Sequence, residues 1–184
     1  MNVSDWTRTA EELRELERKF IEVEQQNSDL THLWVASNQL HASLDRGQVL
    51  AAMKEIIINL LGSEELAVFE ISADGKALEL VDSFGLDGAQ EKFARIPLGA
   101  GSIGEVARNG EPVVNDPPPA EGLTACVPLM LGSQAVGAVA VFKLLPQKLG
   151  GLRPLDKDLL ELLRAQAGLA LYCTRLVQKK AAQP

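Results

Sequence analysis

Ile96-Pro97-Leu98-Gly99-Ala100-Gly101-Ser102-Ile103-Gly104-Glu105-Val106-Ala107-Arg108-Asn109-Gly110-Glu111-Pro112-Val113-Val114-Asn115-Asp116 occupies the middle of the chain. Its glycines, Gly99-x-Gly101-x-x-Gly104, spell the letters of a dinucleotide-binding turn, and Asp116 follows at a compatible distance. The surroundings do not fit that reading. A dinucleotide fold needs a parallel strand before the turn, then a helix of several turns, then a second parallel strand. Here Pro97 breaks the preceding strand and Gly110 stops the helix early. The glycines are expected instead to serve tight backbone geometry where a sheet hands over to a short helix, because glycine adopts conformations that a side chain forbids. The amides of residues 102–104 open that helix and are suited to holding an anion.

On the C-terminal side, residues 115–122 include Pro117, Pro118 and Pro119. Successive prolines lack amide donors and hold extended backbone, so no lid helix forms there. Two apolar runs follow, 123–131 and 134–144, joined by Gly132-Ser133, the Gly-X pair of a tight hairpin turn. After Pro154, Leu155, Leu159, Leu162, Leu163, Leu169, Ala170, Cys173 and Leu176 recur at helical spacing and predict a long closing helix. Toward the N-terminus, the runs 65–72 and 77–84 flank Asp74-Gly75 and predict a first hairpin, with a polar loop over 85–93. Val49, Leu50, Met53, Ile56, Ile57, Leu60 and Leu61 predict a helix that closes at Gly62. Helices and antiparallel hairpins in this order describe an α+β domain, a central antiparallel sheet flanked by helices.

The first quarter keeps a seven-residue clock. Leu13, Phe20, Asn27, Trp34 and His41 fall at a, with Leu16, Val23, Leu30, Ser37 and Leu44 at d. A narrow stripe held this long marks a coiled-coil seam, because the face of an ordinary helix drifts at 3.6 residues per turn. Asn27 at a favours a parallel, in-register pair, where two amides satisfy each other. Gly47 is expected to break the helix where the seam ends. The closing helix is apolar on two sides. Leu159, Leu162, Gln166, Leu169, Cys173 and Leu176 form one seam, while Leu155, Leu163, Ala167, Ala170 and Val177 lie round another side, so one face must be buried on the chain's own sheet and the other against something else. The expected interface of a parallel homodimer is therefore Leu13, Leu16, Phe20, Val23, Asn27, Leu30, Trp34, His41 and Leu44 with Leu162, Leu169, Cys173 and Leu176.

Across 184 residues, 46% are hydrophobic and 23% charged, ordinary values for a folded chain. Eighteen Lys and Arg against 25 Asp and Glu give a net charge of −7, which argues against nucleic-acid binding. The start lacks a basic region followed by an apolar one, and no apolar run is long enough to span a bilayer, so a cytoplasmic protein without membrane insertion is expected. Cys126 and Cys173 are the two cysteines, and His32 and His41, the two histidines, both lie on the first helix. Neither a metal cluster nor a Cys-His or Ser-His nucleophile follows from such placement. No cofactor is expected. The carboxylates of the first helix and Asp156, Asp158 and Glu161 of the last read as solvated faces.

The central stretch 96–116 resembles the signature of GAF domains. Cys126-Val127-Pro128-Leu129 leading to Ala135-Val136-Gly137-Ala138-Val139 is similar to that family's last hairpin, and residues 156–171 to its closing helix. The resemblance covers residues 30–177. It implies a small regulatory module, often dimeric through its first and last helices, some of whose members bind cyclic nucleotides, bilins or haem. The Asn-Lys-Phe-Asp-Glu motif of cyclic-nucleotide binders is absent. Certain GAF-like domains reduce methionine sulfoxide with pocket cysteines, for which a strand cysteine and a distant helix cysteine are a poor pair. The domains expected are a coiled-coil extension over 1–31, a GAF-like domain over 32–177 and a polar tail over 178–184. The expected function is that of a non-enzymatic, homodimeric signalling module that acts on a protein partner not named by the sequence. The alternative is a sensor of a nucleotide or anion with a reduced pocket, its ligand beside Ser83, Phe84, Ser102, Ile103, Asn115, Asp116 and Thr124.

Overall fold

In the computed structural model, which describes residues 3–119, 121–148 and 150–181, contacts divide the chain into two units, Met1–Val35 and Ala36–Pro184. One antiparallel sheet organises the second unit, in the order β3-β2-β1-β6-β5-β4. Its strands are β1 (Ser63–Ile71), β2 (Ala77–Phe84), β3 (Arg95–Pro97), β4 (Val113–Val114), β5 (Ala125–Leu131) and β6 (Gln134–Leu144). The two expected hairpins are present, with Gly75 at φ +68° and Gly132 at φ +62° in their turns. Central β1 and β6 are covered on both faces, so Leu66, Ala67, Val68 and Phe69 and their neighbours Ala138, Val139, Ala140 and Val141 are all at 0% exposure. Both margins are short: β3 is three residues ending in Pro97 and β4 is two.

The helices are α1 (Val3–His41), α2 (Arg46–Glu55), α3 (Gln90–Phe93), α4 (Gly101–Asn109), α5 (Pro154–Leu162) and α6 (Gly168–Ala181). α4 packs on one face of the sheet, with α2, α5 and α6 on the other. α3 is a single turn within the stretch read as loop. The closing helix extends to Ala181, through the start of the expected tail, and 182–184 lie outside the described residues.

Two π-helical turns, Ile56–Leu61 and Leu163–Ala167, interrupt the long helices. Each lies where buried residues repeat every four positions: Met53, Ile57 and Leu61, and Leu159, Leu163, Ala167 and Leu171. An α-helix would rotate such a row by about 40° at each step, and the wider π turn cancels the drift. The same turn corrects the two-sided reading of the closing helix. Leu159 is fully buried on the sheet side, whereas Val177 is 44% exposed, because the extra residue slips the phase between them.

A second correction concerns the end of α1. The break falls at 42–45, where Asp45 caps α2 by accepting the Gln48 N–H at 2.9 Å and gives its own N–H to Ser43 Oγ. Gly47 lies inside α2, and Leu44 sits in the connecting turn, so it does not extend the α1 seam. Within the second unit, Ala36 and Leu40 are buried and Ser37 Oγ donates to Gln166 Oε1 at 2.7 Å. Ser37 thus faces its own domain rather than a helix seam. In the first unit α1 is a solvated helix. Its seam residues Leu13, Leu16, Phe20, Val23, Leu30 and Trp34 are 53–68% exposed, as is off-seam Ile21 at 65%.

Candidate functional site

The central glycines do what their backbone positions require. Gly99 and Gly101 take φ +84° and +61°, and a Cβ on Gly104 would press on the Pro97 carbonyl oxygen. This tight junction lets α4 lie flat on the sheet, with Ile103, Val106 and Ala107 packed on Ala67, Phe69, Leu78, Cys126, Ala138 and Ala140. Phe93 and Phe142 close the layer with ring centroids 5.0 Å apart. Apolar side chains therefore fill the space between α4 and the sheet.

The seven residues expected around a ligand are distributed over three places. Ser83 and Phe84 end β2, where Ser83 Oγ accepts from Gln90 Nε2 at 3.4 Å and Phe84 is 45% exposed. Ser102 is exposed at the start of α4, and Ile103 belongs to the core. Asn115, Asp116 and Thr124 frame the proline loop. Asn115 gives its N–H to the Thr124 carbonyl and its Nδ2 to the Leu123 carbonyl, and buried Thr124 Oγ1 donates to the Phe142 carbonyl at 2.7 Å. Asp116 accepts the Leu152 N–H at 3.0 Å and pairs with Lys157 Nζ at 2.8 Å. The Lys157 bond, then the Leu152 N–H, hold its carboxyl below the usual carboxylate range. The structure brings these last three together, and their polar groups are spent on closing the loop. Among the described residues no hydrogen bond joins them to Ser83 or Ser102.

A different face is available. On α6, Leu169 (46% exposed), Tyr172 (38%), half-buried Cys173 and Leu176 (48%) follow the i, i+3, i+4, i+7 spacing of one stripe, while Ala170, Leu171 and Thr174 on the other side are buried. Leu162, the residue directly before the π segment, is half-buried. Tyr172 was not among the expected interface residues, although its spacing from Leu169 and Leu176 carries the signal. His41 and Asn27 are exposed on α1.

Two charged clusters escaped the sequence reading. Asp156 is fully buried: it accepts the Arg153 N–H at 2.8 Å at the start of α5 and pairs with Lys148 Nζ at 2.5 Å, so it is no solvated carboxylate. Glu70 continues the inward row Leu66, Val68 on β1 and meets both Arg46 and Arg175. A charged residue at an inward strand position demands such partners.

Cys126 lies in the layer under α4, and burial pushes its thiol up to about 12. Cys173 rides on α6, so the sheet stands between the two sulfurs. Cys126 is expected to resist iodoacetamide at neutral pH in the folded protein and to react once unfolded, as peptide mass spectrometry reads directly. Equal labelling in both states would mean that β5 opens. Among the described residues there is no cluster of three metal-ligating side chains, and no helix is long and apolar enough to cross a membrane.

Solved structures share this architecture. The GAF domain from an Acinetobacter phosphoenolpyruvate-protein phosphotransferase aligns with TM-score 0.66 and 19% identity over 82% of this chain and 96% of that one. Residues 122 to 287 of a methyl-accepting chemotaxis protein align with TM-score 0.61 and 19% identity, covering 78% and 98%. The free methionine-R-sulfoxide reductase of Neisseria meningitidis aligns with TM-score 0.56 and 16% identity, covering 79% and 89%. No curated protein sequence matches. The family profile described as GAF domain matches residues 43–171, most of the chain, and takes in the whole sheet with α2 to α5. The chain therefore belongs to the GAF domain family, a family of regulatory and signalling modules.

Proposed function

We propose that the chain is a non-enzymatic, homodimeric regulatory module of the cytoplasm that acts through protein–protein contacts, with the packing of its helices as the relay. The observation that carries this reading is the α6 stripe Leu169, Tyr172, Cys173, Leu176, left to water on a helix whose opposite face is sealed to its own sheet. Large apolar residues aligned in this way mark an association surface. The α1 seam supports the same reading in the first unit, with Asn27 setting a parallel register. A signal would then be any partner or ligand that binds one arrangement of the helices better than another, since only a difference in affinity shifts such an equilibrium.

The sensor alternative is less well supported, because Ile103, itself one of the expected ligand residues, is packed with Phe69, Leu78 and Val106 in the apolar layer. Thermal-shift measurements with cyclic nucleotides and small anions compare the two readings, as a bound ligand raises the melting temperature by mass action. The dimer is tested by sedimentation of the full chain. Wild type is expected to be a dimer, and the pair Leu169→Asp with Leu176→Asp to weaken it at least tenfold, at unchanged circular dichroism. A wild-type monomer at every concentration up to the solubility limit would defeat the proposal.

A further inference from the structure

Glu70 carries a buried carboxylate, its side chain 9% exposed, near the end of β1, where Arg46 of α2 and Arg175 of α6 reach it. Two guanidinium groups hold it, and they hold it unequally. Arg46, 23% exposed at the start of α2, grips both oxygens in parallel, Nη1 to Oε1 at 2.6 Å and Nη2 to Oε2 at 3.0 Å. Arg175, 39% exposed on α6, contributes one bond, Nη2 to Oε2 at 2.7 Å.

Stripping a buried carboxylate of its sole partner is strongly unfavourable. Here the charge is never stripped, because Arg46 keeps both oxygens bonded after Arg175 departs. Arg175 in turn loses a single bond and regains water beside the cleft of about 500 Å³ that it lines with Glu70, Ser72, Glu79 and Val136. We propose that the Arg175–Glu70 pair is a releasable latch: it fixes α6 to β1, and its opening frees α6 to shift while the Arg46–Glu70 junction keeps α2 and the sheet folded. The latch deepens the relay reading above and rests on it for what the released helix would do.

The test uses hydrogen–deuterium exchange of the full chain, read by peptide. Arg175→Gln is expected to speed exchange in α6 about tenfold, the effect of one charge-assisted bond, with α2 and β1 unchanged. Arg46→Gln is expected to loosen α2, β1 and α6 together. Arg175→Lys should restore α6 protection, since one donor suffices there, whereas Arg46→Lys should not, because it removes the two-bond fork. The latch is overturned if Arg175→Gln leaves α6 exchange unchanged, if the change spreads equally to α2 and β1, or if lysine is no better tolerated at 175 than at 46. Sedimentation of the same samples separates the outcomes: a monomeric wild type defeats the relay, while the ranking of the four variants still decides the latch.

Discussion

Asp156→Ala is expected to lower the unfolding free energy by about 3 kcal/mol, read from the urea midpoint at unchanged slope. Two losses combine. Lys148, 16% exposed, is left with a charge facing a buried hole where its 2.5 Å partner had been. The Arg153 N–H at the start of α5 loses its acceptor as well, a capping loss of about 1 kcal/mol. Asp156→Asn separates the two, since an amide oxygen retains the cap while the ion pair is gone, and it should recover roughly a third of the loss. A change below about 0.5 kcal/mol for Asp156→Ala would mean that the cluster is idle.

Gly168→Ala is expected to cost about 2 kcal/mol, the upper range of overpacking less the helix propensity that alanine gains. Gly168 joins the π turn to α6 where that helix meets β5, and a Cβ there would collide with the backbone of Met130, its carbonyl oxygen first. Backbone in a paired strand cannot swing aside as a side chain can, so α6 must lift from the sheet. Gly150→Ala is the control. Its Cβ would meet nothing within 4 Å, and the change should stay within about 0.5 kcal/mol. Equal melting temperatures for the two variants would contradict the close approach of α6 to β5.

The parts of the fold legible in the sequence were those written by local rules. Asp74-Gly75 and Gly132-Ser133 announced two hairpins because few residues adopt the required turn, and Gly99, Gly101 and Gly104 marked the junction before α4 for the same reason. Phase along the closing helix was not legible. A regular period carried from Leu155 to Val177 cannot anticipate a π turn, and so Leu159 and Val177 exchanged sides. The break before α2 went to Gly47 because glycine is the louder signal, yet Asp45 with its cap set the boundary. Asp156 and Glu70 looked like other carboxylates, since their meaning comes from Lys148, Arg46 and Arg175, partners brought close by the fold rather than by spacing. Of the candidate ligand residues, Asn115, Asp116 and Thr124 lie beside one loop. That their polar atoms close it emerges only from hydrogen bonds with Leu123, Phe142, Leu152 and Lys157.

The narrow sheet margins have a consequence for handling the protein. A foreign strand approaching β3 meets a three-residue ledge ending in Pro97, and one approaching β4 finds two residues to join. Edge strands this short, one of them closed by a proline, discourage pairing with a foreign strand. Concentrated solutions should consequently cloud through clumping of greasy rods, reversibly and with mild detergent as the remedy, and should stay dark to amyloid dyes.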